Sequence, residues 1–208
     1  MAGQKDHILP GTYGLIACGG QSSRMGSDKS LISYYNKPQR YHVYEMLQPF
    51  CEKVFISCNA KQSAGMEKGY ELITDHPSYP GIGPMSALLT AFTSFPKKNI
   101  LLVGCDYPFL TGASILSFLN CCKGDLPVSF YNEQEHIYEP ILAWYPCNCF
   151  TSLEKMFTAK QYSLQEFLKS SNAVKFYPLD KSGMISIDTR EDFAMVSAQL
   201  VGPGHDFF

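Results

Sequence analysis

Residues 17–29 read Ala17-Cys18-Gly19-Gly20-Gln21-Ser22-Ser23-Arg24-Met25-Gly26-Ser27-Asp28-Lys29, directly after the apolar run Tyr13 to Ala17. An apolar strand that opens into a glycine-rich loop is how an α/β unit begins, and in open α/β sheets ligands gather outside the carboxyl ends of the strands. Glycine lets the backbone approach a ligand closely, and its exposed N–H groups suit phosphate oxygens. Arg24 adds a planar fork and Lys29 a mobile point charge, a pairing suited to a triphosphate whose leaving pyrophosphate gains charge. The alternative is a flexible solvent loop. Two common phosphate fingerprints are excluded. Five residues separate Gly20 from Gly26, and Ser27 follows it, so the loop is not a Walker loop. Gly81 and Gly83 form a G-x-G, but Ser86 stands where a dinucleotide fingerprint needs its third glycine.

Outward from this loop, short β-rich runs alternate with helical patterns, the order of a mainly parallel sheet. Val43, Met46, Leu47 and Phe50 recur at helical spacing and predict a helix over 39–49. Val54 to Ser57 and Tyr70 to Thr74 read as the next strands, and His76 to Pro84 as a turn-rich segment. Pro84 suits a first helical turn, with Met85, Leu88, Leu89 and Phe92 following at i, i+3, i+4 and i+7. Ile100 to Gly104 is a continuous apolar run, as expected of a central parallel strand covered on both faces. Thr111 caps a short predicted helix, and Leu126 to Tyr131 and Ile137 to Trp144 read as strands around a polar turn. Ser163 with Glu166, and Thr189 with Asp192, have capping-box spacing and predict two more helix starts. The expected architecture is one Rossmann-like, three-layer α/β/α domain with a mostly parallel sheet over 1–208, with flexible ends at 1–11 and 201–208.

Composition sets the limits. Seventeen Lys and Arg against nineteen Asp and Glu leave a charge of −2, too small a field to attract nucleic acid or an anionic membrane. The longest aliphatic run, Ile100 to Val103, is far below the roughly 20 residues needed to span a bilayer. With no leader pattern at its start, the chain is expected in the cytoplasm. Eight cysteines in 208 residues fall well short of the roughly 8–10% of a disulfide scaffold, and none forms a C-x-x-C pair. They read as small core or surface thiols.

The run Gly19-Gly20-x-Ser22-x-Arg24-Met25-Gly26-x-Asp28-Lys29 closely resembles the signature loop of the molybdenum cofactor guanylyltransferases, members of a wider nucleotidyltransferase superfamily. The resemblance continues at Val54 to Asn59, Asp75, Gly83-Pro84, Cys105-Asp106 with Pro108, Glu139-Pro140 and Ile187-Asp188-Thr189, and so spans about residues 12–200. It implies transfer of GMP from magnesium-bound GTP to molybdopterin with release of pyrophosphate. It also implies that Ala17, Cys18, Gly19 and Gly20 line the nucleotide, that Arg24 and Lys29 act on its phosphates, that Asp75 helps read guanine, and that Asp106 binds magnesium. Proteins that supply molybdopterin or receive the finished cofactor are implied partners.

The residues themselves carry part of this. A carboxylate at the end of a buried strand, as at Asp106, is awkward in a core but well placed for a hard cation; otherwise it caps or lines a loop. Asp75 can accept from both guanine N1–H and the exocyclic amine, or simply form a turn before His76-Pro77. Asp188 is a second metal or acceptor-side residue, or a helix-flanking cap. Two departures stand out: Ser57 where relatives often carry Asn beside the nucleotide, and Ser186-Ile187-Asp188 in place of Asn-x-Asn. They leave open CTP as the donor, another acceptor such as a sugar phosphate, and a non-catalytic nucleotide-binding adaptor.

Overall fold

Alternation within the central strands sets the layers. In Leu15-Ile16 and in Leu101-Leu102-Val103, successive side chains are at most 1% exposed yet belong to different apolar clusters. A strand sends neighbouring residues to opposite faces, so both faces of this sheet must be covered. The computed structural model describes residues 7–18 and 29–187, without the side chains of residues 29 and 61. Within it lie β1 (Thr12–Ala17), β2 (Lys53–Cys58), β3 (Leu72–Thr74), β4 (Asn99–Gly104), β5 (Val128–Asn132), β6 (Ile137–Tyr145) and β7 (Val174–Phe176). They form one sheet in the order β3-β2-β1-β4-β6-β5-β7.

Strand β1 runs parallel to β2 and β4, β2 to β3, and β5 to β7. The sheet is therefore mostly parallel, as expected, and β6 alone runs antiparallel to its neighbours β4 and β5. The reason is local. Asn132 Oδ1 accepts from the N–H groups of Gln134 and Glu135 at 3.1 and 3.2 Å, and His136 adopts φ 57°, closing β5 and β6 into a hairpin.

The helices are α1 (Gln39–Leu47), α2 (Ala60–Ser63), α3 (Pro84–Ser94), α4 (Gly112–Leu119), α5 (Cys149–Thr158) and α6 (Leu164–Ser170). Tyr41, Val43 and Leu47 of α1 with Ile115 and Phe118 of α4 cover one face, against Ile16, Ile56 and Val103. Met85, Leu88 and Phe92 of α3, Leu153 of α5 and Phe167 of α6 cover the other, against Leu15, Phe55 and Leu102. Among the described residues no helix is long and apolar enough to cross a membrane.

Two predicted caps are in place: Thr111 accepts from Ser114 N–H and Ser163 from Glu166 N–H, each at 3.2 Å. The helix predicted over 39–49 stops at Leu47, and Phe50 reaches the core from the following turn. The strand predicted from Tyr70 starts only at Leu72, because Tyr70 stacks on Tyr41 at 4.2 Å, outside the ladder. The sequence does not predict α2, α5 or β7: α2 is a single four-residue turn, α5 buries only Cys149 and Leu153, and β7 is a three-residue strand with no buried position. The helix start at Thr189 lies outside the described residues. Within the end expected to be flexible, Leu9 N–H donates to Phe50 O at 3.0 Å and Gly11 N–H to Glu52 Oε1 at 2.7 Å.

One side-chain bond spans the middle of the sheet. Trp144 Nε1 donates to Thr12 Oγ1 at 3.2 Å, joining β6 to β1 across β4, and both residues are buried. Thr12→Val keeps the shape but strands the indole N–H, so it should cost about 1–3 kcal/mol in chemical denaturation. An unchanged midpoint would contradict that role.

Candidate active site

The parallel strands β1 to β4 all end at the same edge, with Ala17, Cys58, Thr74 and Gly104 as their last residues. A cleft of about 460 Å³ opens there, with Ala17, Ser57, Asn59, Asp75, Gly83 and Pro84 in its wall. Gly83 holds φ 67° immediately before Pro84, the first residue of α3, which turns the chain sharply at the cleft mouth. Ser86 Oγ donates to Tyr79 O and pins the preceding loop to the helix. Asn59 and Gln62 are reciprocal: Asn59 Oδ1 accepts from Gln62 N–H at 2.9 Å, and Gln62 Oε1 from Asn59 N–H at 3.1 Å. These two polar side chains were missed from the sequence, although Asn59-x-x-Gln62 has capping-box spacing.

Asp75 follows β3, and its N–H donates to Cys58 O at 3.3 Å, so the β2–β3 ladder sets its position. The turn after it is held by His76, whose Nδ1 accepts from Ser78 N–H at 3.2 Å. Although exposed on one side, the Asp75 carboxyl is raised above its ordinary range by partial burial.

Among the described residues, Asp106 does not line the cleft that holds Ala17, Ser57 and Asp75. It lies in an adjoining cleft of about 400 Å³ with Tyr107, Glu139, Tyr162 and Ser186, and Pro84 borders both cavities. Its backbone oxygen accepts from Ile187 N–H at 2.9 Å, which ties the end of β4 to the segment leading to residue 188. A Cβ on Gly104 would press on Asp106 Oδ1 and sit 2.6 Å from Ile141 Cδ1, so only glycine leaves the carboxylate its place. Tyr107 Oη donates to Glu139 Oε2 at 3.0 Å. Burial pushes the Glu139 carboxyl up and the Asp106 charge adds to this, while the Tyr107 hydroxyl offsets part of it. Burial, then the same Asp106 charge, lifts Tyr34 to about 12.

The Cys18 side chain does not face the cleft but is buried against Cys105, with 3.2 Å between the sulfurs. Gly19, Gly20, Arg24 and Asp188 lie outside the described residues, as does the Lys29 side chain; the Lys29 backbone opens a 3₁₀ turn to Leu31. Among the described residues no three His, Cys, Asp or Glu side chains cluster as a metal cage.

Residues 14–174 match the MobA-like NTP transferase domain. The chain belongs to that family. It is 30% identical over 203 residues to the molybdenum cofactor biosynthesis bifunctional protein of Synechocystis, covering 94% of this chain and 54% of that protein. It is 32% identical over 125 residues to the molybdenum cofactor guanylyltransferase of Shewanella halifaxensis, and 26% over 191 residues to that of Shewanella sediminis. These matches cover 58% and 89% of this chain and 62% and 95% of the relatives. The chain thus spans between half and two thirds of the first two relatives. Among solved structures, molybdopterin-guanine dinucleotide biosynthesis protein A from Archaeoglobus fulgidus superposes with a TM-score of 0.73 at 18% identity, over 90% of this chain and 97% of that one. The 4-diphosphocytidyl-2C-methyl-D-erythritolsynthase of Anaerococcus prevotii gives 0.65 at 11%, over 95% and 98%. At such identities the likeness is one of fold.

In this MobA-like NTP transferase the Glu139 environment predicts a pH signature. A carboxyl with a raised folded-state pKa contributes stability that is full below its unfolded value, near 4.5, and is lost as pH rises through the raised value. Glu139→Gln keeps an acceptor for Tyr107 and removes the titration. Its stability relative to the parent should therefore improve as pH rises from below 4.5 to neutrality. A difference that stays flat in denaturation across that range would show that Glu139 is not so perturbed.

Proposed function

We propose that this protein transfers GMP from GTP to the terminal phosphate of molybdopterin and releases pyrophosphate. The observation that carries the reading is the pair of clefts on one sheet edge, adjoining at Pro84, with Asp106 in the second. A group transfer needs donor and acceptor side by side, and holding them so accounts for much of the rate of such reactions.

The first cleft takes the nucleoside. Asp75 accepts from guanine N1–H and the exocyclic amine, a pair of donors that cytosine and adenine do not present on that edge. Ser57, buried at the end of β2, reaches a ribose or base hydroxyl or amine. Ala17, Cys18, Gly19 and Gly20 offer their backbone N–H groups to the nucleotide, and Arg24 and Lys29 hold its phosphates. The second cleft takes the acceptor, and Asp188 serves as a second oxygen ligand.

Asp106 fits magnesium by its chemistry: this cation is held by one or two carboxylates plus substrate phosphate oxygens rather than by an all-protein cage, and Gly104 leaves the carboxylate room. When bound, magnesium supplies neutralisation of phosphate charge. Because the acceptor phosphate is already anionic near neutral pH, no side chain has to remove a proton, and the site's work is positioning and charge stabilisation.

The test is pyrophosphate release with magnesium, molybdopterin and each radiolabelled nucleoside triphosphate in turn. Lys29→Ala and Asp106→Asn should each lower turnover by roughly 10²- to 10³-fold with the fold intact. Near-normal turnover in Asp106→Asn removes the metal role. Asp75→Asn should cut the preference for GTP over CTP by roughly tenfold, the worth of a hydrogen bond to a charged group; an unchanged ratio removes it from base reading. Release with CTP alone, or with a sugar phosphate in place of molybdopterin, reassigns the substrates, and binding without release makes the protein an adaptor.

A further inference from the structure

We propose that Cys18 and Cys105 form an oxidative modification site, a reversible disulfide that ties the base of the nucleotide loop to the base of the Asp106 segment. The two thiols end neighbouring parallel strands one residue beyond the register pair Ala17 and Gly104, and Cys105 N–H donates to Ala17 O at 3.3 Å. Their sulfurs are 3.2 Å apart, both remain thiols, and both are nearly buried, at 8% and 6% exposure. Strands in one sheet lie about 4.8 Å apart, inside the Cα separation a disulfide accepts, so closure to about 2.05 Å moves the sulfurs by roughly 1 Å without parting the strands.

A third thiol stands close by. Burial, and next the neighbouring Cys18, push Cys58 up to about 11, so it stays protonated and is a weak competitor for the new bond. The oxidant is hydrogen peroxide. The thiolate of Cys18, the less buried partner, attacks a peroxide oxygen; the O–O bond breaks, and hydroxide leaves to be protonated to water. Cys105 sulfur then attacks the Cys18 sulfenic acid, the S–S bond forms, the S–O bond breaks, and a second water departs with the Cys105 proton. In sum, two thiols are oxidised and one peroxide is reduced to two waters.

Cys18 is followed at once by the glycine loop and Cys105 by Asp106, so the bond pulls on the two segments assigned to phosphate and metal. That consequence rests on the function proposed above; formation of the bond does not. An ångström at such positions is worth roughly tenfold to a hundredfold in activity.

The experiment treats the full chain with hydrogen peroxide and maps its thiols by non-reducing peptide mass spectrometry, with exposed Cys121 as the internal control for oxidation. The expected result is a Cys18–Cys105 linkage and the loss of two hydrogens. GTP binding and transfer should fall together by at least roughly tenfold and return with a dithiol reductant. Cys105→Ser should keep its basal GTP binding and lose the peroxide effect. Oxidised Cys121 alongside thiols at 18 and 105, or a Cys18–Cys58 linkage instead, would each overturn the proposal; a Cys18–Cys105 linkage with unchanged GTP binding would overturn its coupling to the nucleotide site. The linkage is read whether or not the protein turns over molybdopterin, so failure of the transfer reaction and failure of this site remain distinguishable.

Discussion

Burial of β4 on both faces is the constraint on which the rest of the molecule depends. Ile100, Leu101, Leu102 and Val103 are each at most 1% exposed, and β4 is the middle strand of seven. Burying side chains of this size stabilises by about 1.5–3 kcal/mol apiece, which fixes the strand in the centre more firmly than any single polar contact. Both apolar clusters contain residues of β4, so helices must pack above and below it. Once it is central and parallel to β1, the chain can only surface where the strand stops, and its first ionisable carboxylate there is Asp106. The clefts exist because apolar packing ends at one edge and polar residues begin.

Much of this was legible because the same residues carry a local and a global signal. The apolar run at 100–103, the Pro84 start of α3 and the Thr111 and Ser163 caps each read correctly, since a cap or a continuous apolar run leaves few alternatives. Boundaries read less well where a side chain has a tertiary task. Tyr70 looks like a strand residue but leaves the ladder to stack on Tyr41, and Phe50 continues a helical spacing after its helix has ended. Helix α5 and strand β7 escaped because their burial is too sparse to leave a period.

For the site, sequence order and spatial grouping diverge. Ala17, Ser57 and Asp75 are far apart in the chain and meet in one cleft because β1, β2 and β3 end together. Asp106 follows the neighbouring strand, yet it turns into the next cavity beside Glu139, where its charge adds to the cost of ionising the half-buried Glu139 carboxyl. Linear reading locates the carboxylates; only the sheet order separates the two cavities. Asn59 and Gln62 were invisible as site residues because their spacing signals a cap first.

The Trp144 to Thr12 bond also gives the molecule a built-in optical probe. Trp144 is the sole tryptophan, nearly fully buried, and opposite Leu101 near the start of β4. Three steps of extended chain, roughly 10 Å, separate that point from Gly104, where β4 ends. Its fluorescence therefore reports the integrity of the sheet's buried interior. Unfolding of the sheet becomes directly observable in one unlabelled chain.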